Sequence, residues 1–484
     1  MNKLFKSPIL NTDSYKVSMW KQMPAGTTGV YSYIESRGGR YDETVFFGLQ
    51  AFIKEYLLKP ITQTDIDLAE EIWTAHGEPF NRAGWQYILD QHQGYLPVVI
   101  RAVPEGTVVP VKNVLATIEN TDPECFWLTT WLETALLRAI WYPTTVATQS
   151  KSIKNAILEY LERTGDPDTI NFKLHDFGAR GVSSFESAGI GSAAHLVNFM
   201  GSDTITGVLY AREYYGAGIA GFSIPAAEHS TITSWGRNKE VEAYRNMLTQ
   251  FARPGSIVAV VSDSYDVFNA CEKLWGEELK QQIIDSGATV VVRPDSGDPL
   301  EINSRLIRIL GEKFGYTVNA KGYKVLNNVR LIQGDGVNEN TVRTILGNFL
   351  INGWSADNIA FGMGGALLQI VDRDTQKFAM KCSSVGVLQD VVVNRGDGYY
   401  DCKQEVVWRD VQKDPITDSG KKSKKGRVEL WQSGGEYQSA VEQPQGWTDK
   451  GTGEWTPVLQ KVFENGKLYN EISFDQVRIN SNLK

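Results

Sequence analysis

The chain has 484 residues, enough for two or three domains of ordinary size, and its 42% hydrophobic and 22% charged content is the usual balance of a globular enzyme. A net charge of −8 speaks against sequence-independent nucleic-acid binding. Cys125, Cys271, Cys382 and Cys402 stand far apart, no apolar run reaches the roughly 18 residues of a membrane span, and the opening MNKLFKSPILNTDSYK lacks an apolar signal core. The expectation is a cytoplasmic protein without disulfides, zinc site or membrane contact.

Residues 1–165 read as a mixed α+β part. Leu49, Phe52, Ile53, Tyr56 and Leu57 fall at helical spacing, so a helix is expected over about 48–58, stopped by Pro60. The stretch 96–120 is β-rich and broken at Pro-Glu-Gly and Lys-Asn turns. A second amphipathic helix carries Ile153, Ile157, Leu158 and Leu161, and Thr164-Gly165-Asp166-Pro167-Asp168 punctuates it, placing a domain boundary there.

Residues 166–380 repeat one pattern. Short apolar runs (among them INFKL, SIVAVV, ATVVVR, VRLIQ and NIAF) end at polar stops, and helical periodicity follows. The stops are HDFGAR, GSDT, PAAEHS, SDSYD, RPDSGD, QGDG and GMGG, seven between residues 170 and 365. β-branched runs of this length suit buried parallel strands. Val342, Ile345, Leu346 and Phe349 make one helix stripe, and Ser183-x-x-Glu186 reads as a capping box. Such units close into an irregular (β/α) barrel or form an open doubly wound sheet. In either case the loops at the strands' carboxyl ends build the active site.

Residues 381–484 are β-rich again. Asn465-Gly466 between VFE and KLY signals a type I′ hairpin, and GKKSKKGR (420–427) is a basic run that reads as a solvated loop or as a flap over a polyphosphate.

Asp263, Asp295 and Asp335 each follow a strand directly. Any one alone reads as a helix cap. Three at one barrel mouth repel each other unless a cation sits among them, which points to magnesium held with substrate phosphates. Gly334, Gly336, Gly362, Gly364 and Gly365 let backbone N–H groups approach a phosphate, or simply make tight turns. No P-loop and no well-formed G-x-G-x-x-G occurs. His229, one of five histidines, follows a strand beside Glu228, which can orient it. It is a structural histidine, a general base or a nucleophile for a phosphoryl group. Phe177 with Arg180, and Tyr15 with Lys16, pair an aromatic with a base. Each aromatic taken alone reads as core; two can sandwich a flat ring.

Read together, TDSYK (12–16), ENTDPECFWL (119–128), KLHDFGARGVSS (173–184), PAAEHSTITSWG (225–236), VVSDSYD (260–266), RPDSG (293–297), IQGDGV (332–337), FGMGG (361–365) and KKSKKGR (421–427) resemble the nicotinamide phosphoribosyltransferase family, from about residue 8 to the C-terminus. The resemblance implies the fold of the type II phosphoribosyltransferases: an α/β irregular barrel (166–380) with a β-rich α+β domain built from both chain ends (1–165 and 381–484). It implies a homodimer with shared active sites that joins nicotinamide to 5-phosphoribosyl 1-pyrophosphate in NAD salvage, using Mg2+, with ATP coupling through a phosphohistidine.

On this sequence the resemblance implies that Phe177 stacks on nicotinamide, opposite Tyr15 of the other subunit, with Arg180 nearby, and that Asp203 accepts the carboxamide N–H. Ser223 and Arg293 line the same pocket, and Asp295 holds the ribose hydroxyls. Gly334, Asp335, Gly364 and Gly365 cradle the 5′-phosphate. Arg37, Arg373 and Lys381 grip phosphates across the dimer, Asp263 lies near pyrophosphate and its magnesium, and His229 is the histidine that ATP phosphorylates. The sequence departs from the family at Ala179, where an aromatic is expected, at Ala379, where a serine is expected, and over 386–412, a long stretch expected to add a hairpin turning at Asp397-Gly398. The competing readings are a nicotinate phosphoribosyltransferase, a magnesium-dependent sugar-phosphate barrel lyase or hydrolase, and a non-catalytic nucleotide-binding protein.

Overall fold

A computed structural model describes residues 6–394, 400–444 and 454–482. The chain divides into two compact units: Met1–Thr145, Tyr214–Gly216 and Asp372–Lys484 form the first, Val146–Glu213 and Ala217–Val371 the second. The changeovers fall at 145/146, inside the helix Glu133–Thr164, and at 371/372, whereas the sequence punctuation suggested 165 and 380.

The first unit is built on a seven-stranded antiparallel sheet. Its order is Tyr400–Asp410, Phe378–Asn394, Thr27–Ser36, Val114–Asn120, Val98–Ala102, Gln460–Glu464 and Lys467–Leu468, so strands from both chain ends interleave. Beside it lies a core in which Trp85, Trp127 and Trp131 meet edge to face, with ring centroids 4.9–5.8 Å apart. The helix expected at 48–58 forms as an α-turn, Leu49–Phe52, continued by a π-turn, Ile53–Leu57. Asn465 and Gly466 both take positive φ (48° and 81°) in the expected hairpin turn. The stretch 386–412 does form a long hairpin, with Leu388 opposite Val406 and Val392 opposite Cys402; its expected Asp397-Gly398 turn lies outside the described residues.

The second unit holds six parallel strands: β1 (Leu174–Asp176), β2 (Gly201–Ser202), β3 (Ile257–Val261), β4 (Thr289–Arg293), β5 (Val329–Gln333) and β6 (Ile359–Met363), in the order β2-β1-β6-β5-β4-β3. Their branched side chains are buried, as in a sheet covered on both faces (Val258, Val260, Val290, Val292, Val329 and Leu331 are fully shielded). The segment 222–227 joins the two edges. Phe222 exchanges backbone hydrogen bonds with Met200 and Ser202 at β2 (2.8 and 3.0 Å), while Pro225 and Ala227 bond to Ala259 of β3 (3.1 and 3.0 Å). This irregular stave decides for the barrel over an open doubly wound sheet.

The helix Glu339–Ile351 buries the expected stripe Val342, Ile345, Leu346 and Phe349. The expected capping box moves by one residue: Ser184 accepts from the N–H of Ser187, whose hydroxyl receives the Ser184 N–H, because Phe185 rather than Ser184 opens the helix. Among the described residues no helix is long and apolar enough to cross a membrane.

Candidate active site

Within the second unit, Phe177, Asp203, Ser223, His229, Asp263, Arg293, Asp295, Gly334, Asp335, Gly364 and Gly365 all lie at or just beyond the carboxyl ends of strands or on the stave 222–227. The geometry separates the aspartates that could be caps from those that are. Asp266 accepts from the N–H groups of Phe268 and Asn269 (both 3.0 Å), Asp298 from Glu301 (2.8 Å) and Asn338 from Thr341 (3.1 Å). In each unit the cap stands three residues after the strand-end aspartate, so Asp263, Asp295 and Asp335 are released from capping.

The side chain of Asp263 is only 5% exposed. Its Oδ2 accepts the Asp295 N–H (3.0 Å) and the Ser296 hydroxyl, while Oδ1 has no hydrogen-bond partner among the described residues. A buried anionic oxygen left without a donor suits a hard cation, so the donor set fits magnesium. His229 Nε2 lies 3.7 Å from Asp263 Oδ1 and 3.6 Å from Asp295 Oδ2, and Nδ1 lies 3.0 Å from Ser264 Oγ. The expected partner Glu228 is engaged elsewhere: as the N-cap residue of His229–Thr233 it accepts the Ser230 hydroxyl, and its N–H bonds to Thr231. The carboxylates facing His229 therefore come from β3 and β4.

Arg293 reaches toward Asp295 (3.8 Å), and its Nε is buried without a partner among the described residues. Gly334 completes this corner: a Cβ placed there would lie 3.1 Å from Asp295 Oδ1, 3.5 Å from the Phe177 ring and 3.6 Å from Arg293 Cδ. Phe177 in turn occupies the space above Gly362, where a Cβ would fall 1.9 Å from the ring. Asp203 receives two side-chain donors, His175 Nε2 at 2.9 Å and the Ser223 hydroxyl, both on Oδ1. Burial works to raise its pKa, but the hydrogen bonds from His175 and Ser223 outweigh it and hold the carboxyl below the usual range. His175 was not singled out by sequence; its ring centroid lies 5.1 Å from that of Phe177.

Arg180 is exposed beside Ala179 in the turn Ala179–Gly181, and Asp335 is exposed, contributing its carbonyl to Gln333 Nε2 (2.7 Å). Gly364 caps the four-residue helix Gly365–Leu368. Tyr15, Arg37, Arg373 and Lys381 belong to the first unit. Tyr15 is exposed, and Lys16 Nζ sits 5.1 Å from its ring centroid. Lys381 titrates below the usual lysine range because of burial and the nearby charges of Arg37, Lys413 and Lys16, against an opposing pull from Glu133. Arg37 NH2 is buried without a partner among the described residues, and Arg373 pairs with Asp374 (3.0 Å). Ala379 is buried opposite Glu35. Within the basic run Lys421, Lys422 and Lys425 are exposed, as a solvated loop implies, while Lys424 pairs with Glu35 and Arg427 with Glu119.

Residues 172–467 match the nicotinate phosphoribosyltransferase (NAPRTase) family, and residues 7–100 match the nicotinamide phosphoribosyltransferase N-terminal domain. The chain is 56% identical over 474 residues to a nicotinamide phosphoribosyltransferase of Xanthomonas campestris, covering 97% of each, and 32% identical over 518 residues to one of Acinetobacter baylyi, covering 98% of this chain and 96% of that one. Among solved structures it is similar to a nicotinate-nucleotide pyrophosphorylase of Pyrococcus furiosus (17% identity, TM-score 0.61, 100% and 98% coverage) and to human nicotinic acid phosphoribosyltransferase (16%, 0.53, 97% and 92%). The irregular barrel and the β-rich unit are thus the fold of the type II phosphoribosyltransferases. Within that class, the chain belongs to the nicotinamide phosphoribosyltransferase family.

Proposed function

We propose that the enzyme joins nicotinamide to 5-phosphoribosyl 1-pyrophosphate, giving nicotinamide mononucleotide and pyrophosphate in NAD salvage. One observation carries the choice of base: Asp203 is held ionised with both protein donors on one oxygen, leaving the other to accept an N–H. Nicotinamide supplies that N–H. Nicotinate brings a second negative charge and no donor, so the carboxylate that attracts the amide repels the acid.

Phe177 stacks on the base and directs its ring nitrogen at C1′ of the ribose. As the C1′–O bond breaks, positive charge grows on the sugar and negative charge on the leaving pyrophosphate. Asp295 holds the ribose hydroxyls and favours the cationic sugar; Arg293 borders the same pocket, and the N–H groups around Gly334, Asp335, Gly364 and Gly365 receive the 5′-phosphate. Asp263, with its unpartnered oxygen, would hold magnesium, which stabilises the charge of the leaving group when bound. Tyr15, Arg37, Arg373 and Lys381 act from a second protomer of a homodimer in the cytoplasm. ATP phosphorylates His229, whose place between Asp263, Asp295 and Ser264 supports the role.

Product formation from nicotinamide or nicotinate, each with and without ATP, tests the reading. Selective nicotinamide mononucleotide formation, stimulated by ATP, is expected. His229→Ala should lose the stimulation and keep a weak basal rate, and equal stimulation in that variant would overturn the phosphohistidine. Preferential turnover of nicotinate would keep the fold and overturn the assignment of the base.

A further inference from the structure

We propose that His175 is a positioning residue that sets base selectivity: with Ser223 it pins one oxygen of Asp203 so that the other faces the carboxamide. The inference deepens the function proposed above and rests on it. Asp203 is a short side chain at the mouth of the barrel, 46% exposed, and unaided its carboxylate can rotate and present either oxygen or an edge. Two side-chain contacts, on a backbone that is itself anchored, limit that freedom. Its backbone N–H bonds to the Asp176 carbonyl (3.0 Å), His175 Nε2 donates to Oδ1 (2.9 Å), and the Ser223 hydroxyl donates to the same oxygen. With Oδ1 occupied twice, Oδ2 keeps its lone pairs for the substrate.

The strand pairing shows how the imidazole gets there. His175 on β1 is in register with Gly201 on β2, and Asp203 stands two residues past Gly201. A Cβ at Gly201 would lie 2.6 Å from His175 Nδ1, so the absent side chain is the space through which the ring crosses the neighbouring strand. The same ring sits 5.1 Å from Phe177 at a 55° tilt. One residue thereby fixes the carboxylate that reads the substituent relative to the aromatic face that stacks on the base, and a small error in that angle weakens an amide contact while leaving the ribose and phosphate contacts alone.

Steady-state kinetics with nicotinamide and with nicotinate test this on the full-length enzyme, its His175→Phe variant and its His175→Gln variant. His175→Phe keeps a ring and loses the donor. It should lower the ratio of kcat/KM for nicotinamide over nicotinate about tenfold, through the nicotinamide KM, with KM for the phosphoribosyl donor unchanged. His175→Gln, which keeps an N–H at its end, should restore most of the ratio. Should His175→Phe not fold, Ser223→Ala on its exposed loop reads the same ratio, with a fall expected. An unchanged ratio, or equal rises in the KM of both bases, would show packing alone and overturn the inference. Failure of the unmodified enzyme to use nicotinamide would instead overturn the function itself.

Discussion

His175 lies on the short strand β1 and Phe177 follows its last residue, Asp176; each leans over a glycine of a neighbouring strand, Gly201 on β2 and Gly362 on β6. A methyl group at 362 would stand 1.9 Å from the Phe177 ring, so the ring must swing away. Gly362→Ala is therefore expected to lower kcat/KM for nicotinamide at least tenfold, and to cost about 1–3 kcal/mol of stability, the usual range for an overpacked site. Kinetics and a denaturation curve on the same variant check this; unchanged kinetics would remove Phe177 from the base pocket. At this scale the sequence was partly legible. Asp263 and Asp295 stood out, with Asp335, because acidic residues recur at the ends of successive strands, and the Phe177 and Asp203 assignments came through the family resemblance. His175 did not, because its significance lies in a cross-strand register with Gly201 that no local pattern encodes. Glu228 misled for the converse reason: adjacency in sequence to His229 is not adjacency in space at a helix N-terminus, where one side chain turns to cap and the next projects.

The strand-to-helix connection carries two acidic residues with different duties, and they can be told apart by experiment. Asp298 accepts the Glu301 N–H at the start of Pro299–Phe314, while Asp295 faces Arg293 and His229. Asp298→Ala should lower stability by about 0.5–2 kcal/mol, the range for a lost cap, with little effect on KM. Asp295→Ala should do the reverse, lowering turnover with little loss of stability. A denaturant midpoint and an initial-rate series on both variants decide; a shift of KM in Asp298→Ala would mean that the capping aspartate reaches substrate. Element existence was readable from periodicity: the 342–349 stripe and the Asn465-Gly466 hairpin form as expected. Element detail was less so. The capping box slipped by one residue because Ser183 and Ser184 are both good caps, and only the chain's direction into Phe185 chooses between them. The π-turn at Ile53–Leu57 had no sequence mark, since one extra residue per turn barely shifts an apolar stripe over a single turn.

At the scale of the whole molecule, the pairing of Phe378–Asn394 with Thr27–Ser36, and of Gln460–Glu464 with Val98–Ala102, brings together strands more than 340 residues apart. Periodicity marks such strands one by one but is silent on which partners they choose, so the two-ended domain was legible only through the resemblance. The changeover between units inside Glu133–Thr164 was hidden similarly, because the helix runs on through Pro143 and past 145/146 without a stop. The second unit carries in its interior two cationisable groups whose titration bears on its stability. Burial pushes the His195 imidazole down to about 4, with Asp176 pulling the other way and His175 reinforcing the shift; the ring is held by Ser150 (3.0 Å) and stacked on Phe199. Burial likewise pushes Lys173, bonded to the carbonyls of Ala356, Asp357 and Ile359, down to about 8. Both folded values lie below the unfolded ones of about 6.5 and 10.4, so within each window the unfolded chain binds the proton that the native chain refuses. His195 therefore stabilises fully above pH 6.5, and its contribution is lost as pH falls toward 4. For Lys173 the burial penalty is fully present below pH 8 and is relieved as pH rises toward 10. Urea midpoints followed from pH 7 down to 4.5 should fall in the unmodified protein and fall less in His195→Gln, because the carboxylates that titrate lower are common to both. Parallel curves would mean that His195 takes up its proton without unfolding the barrel.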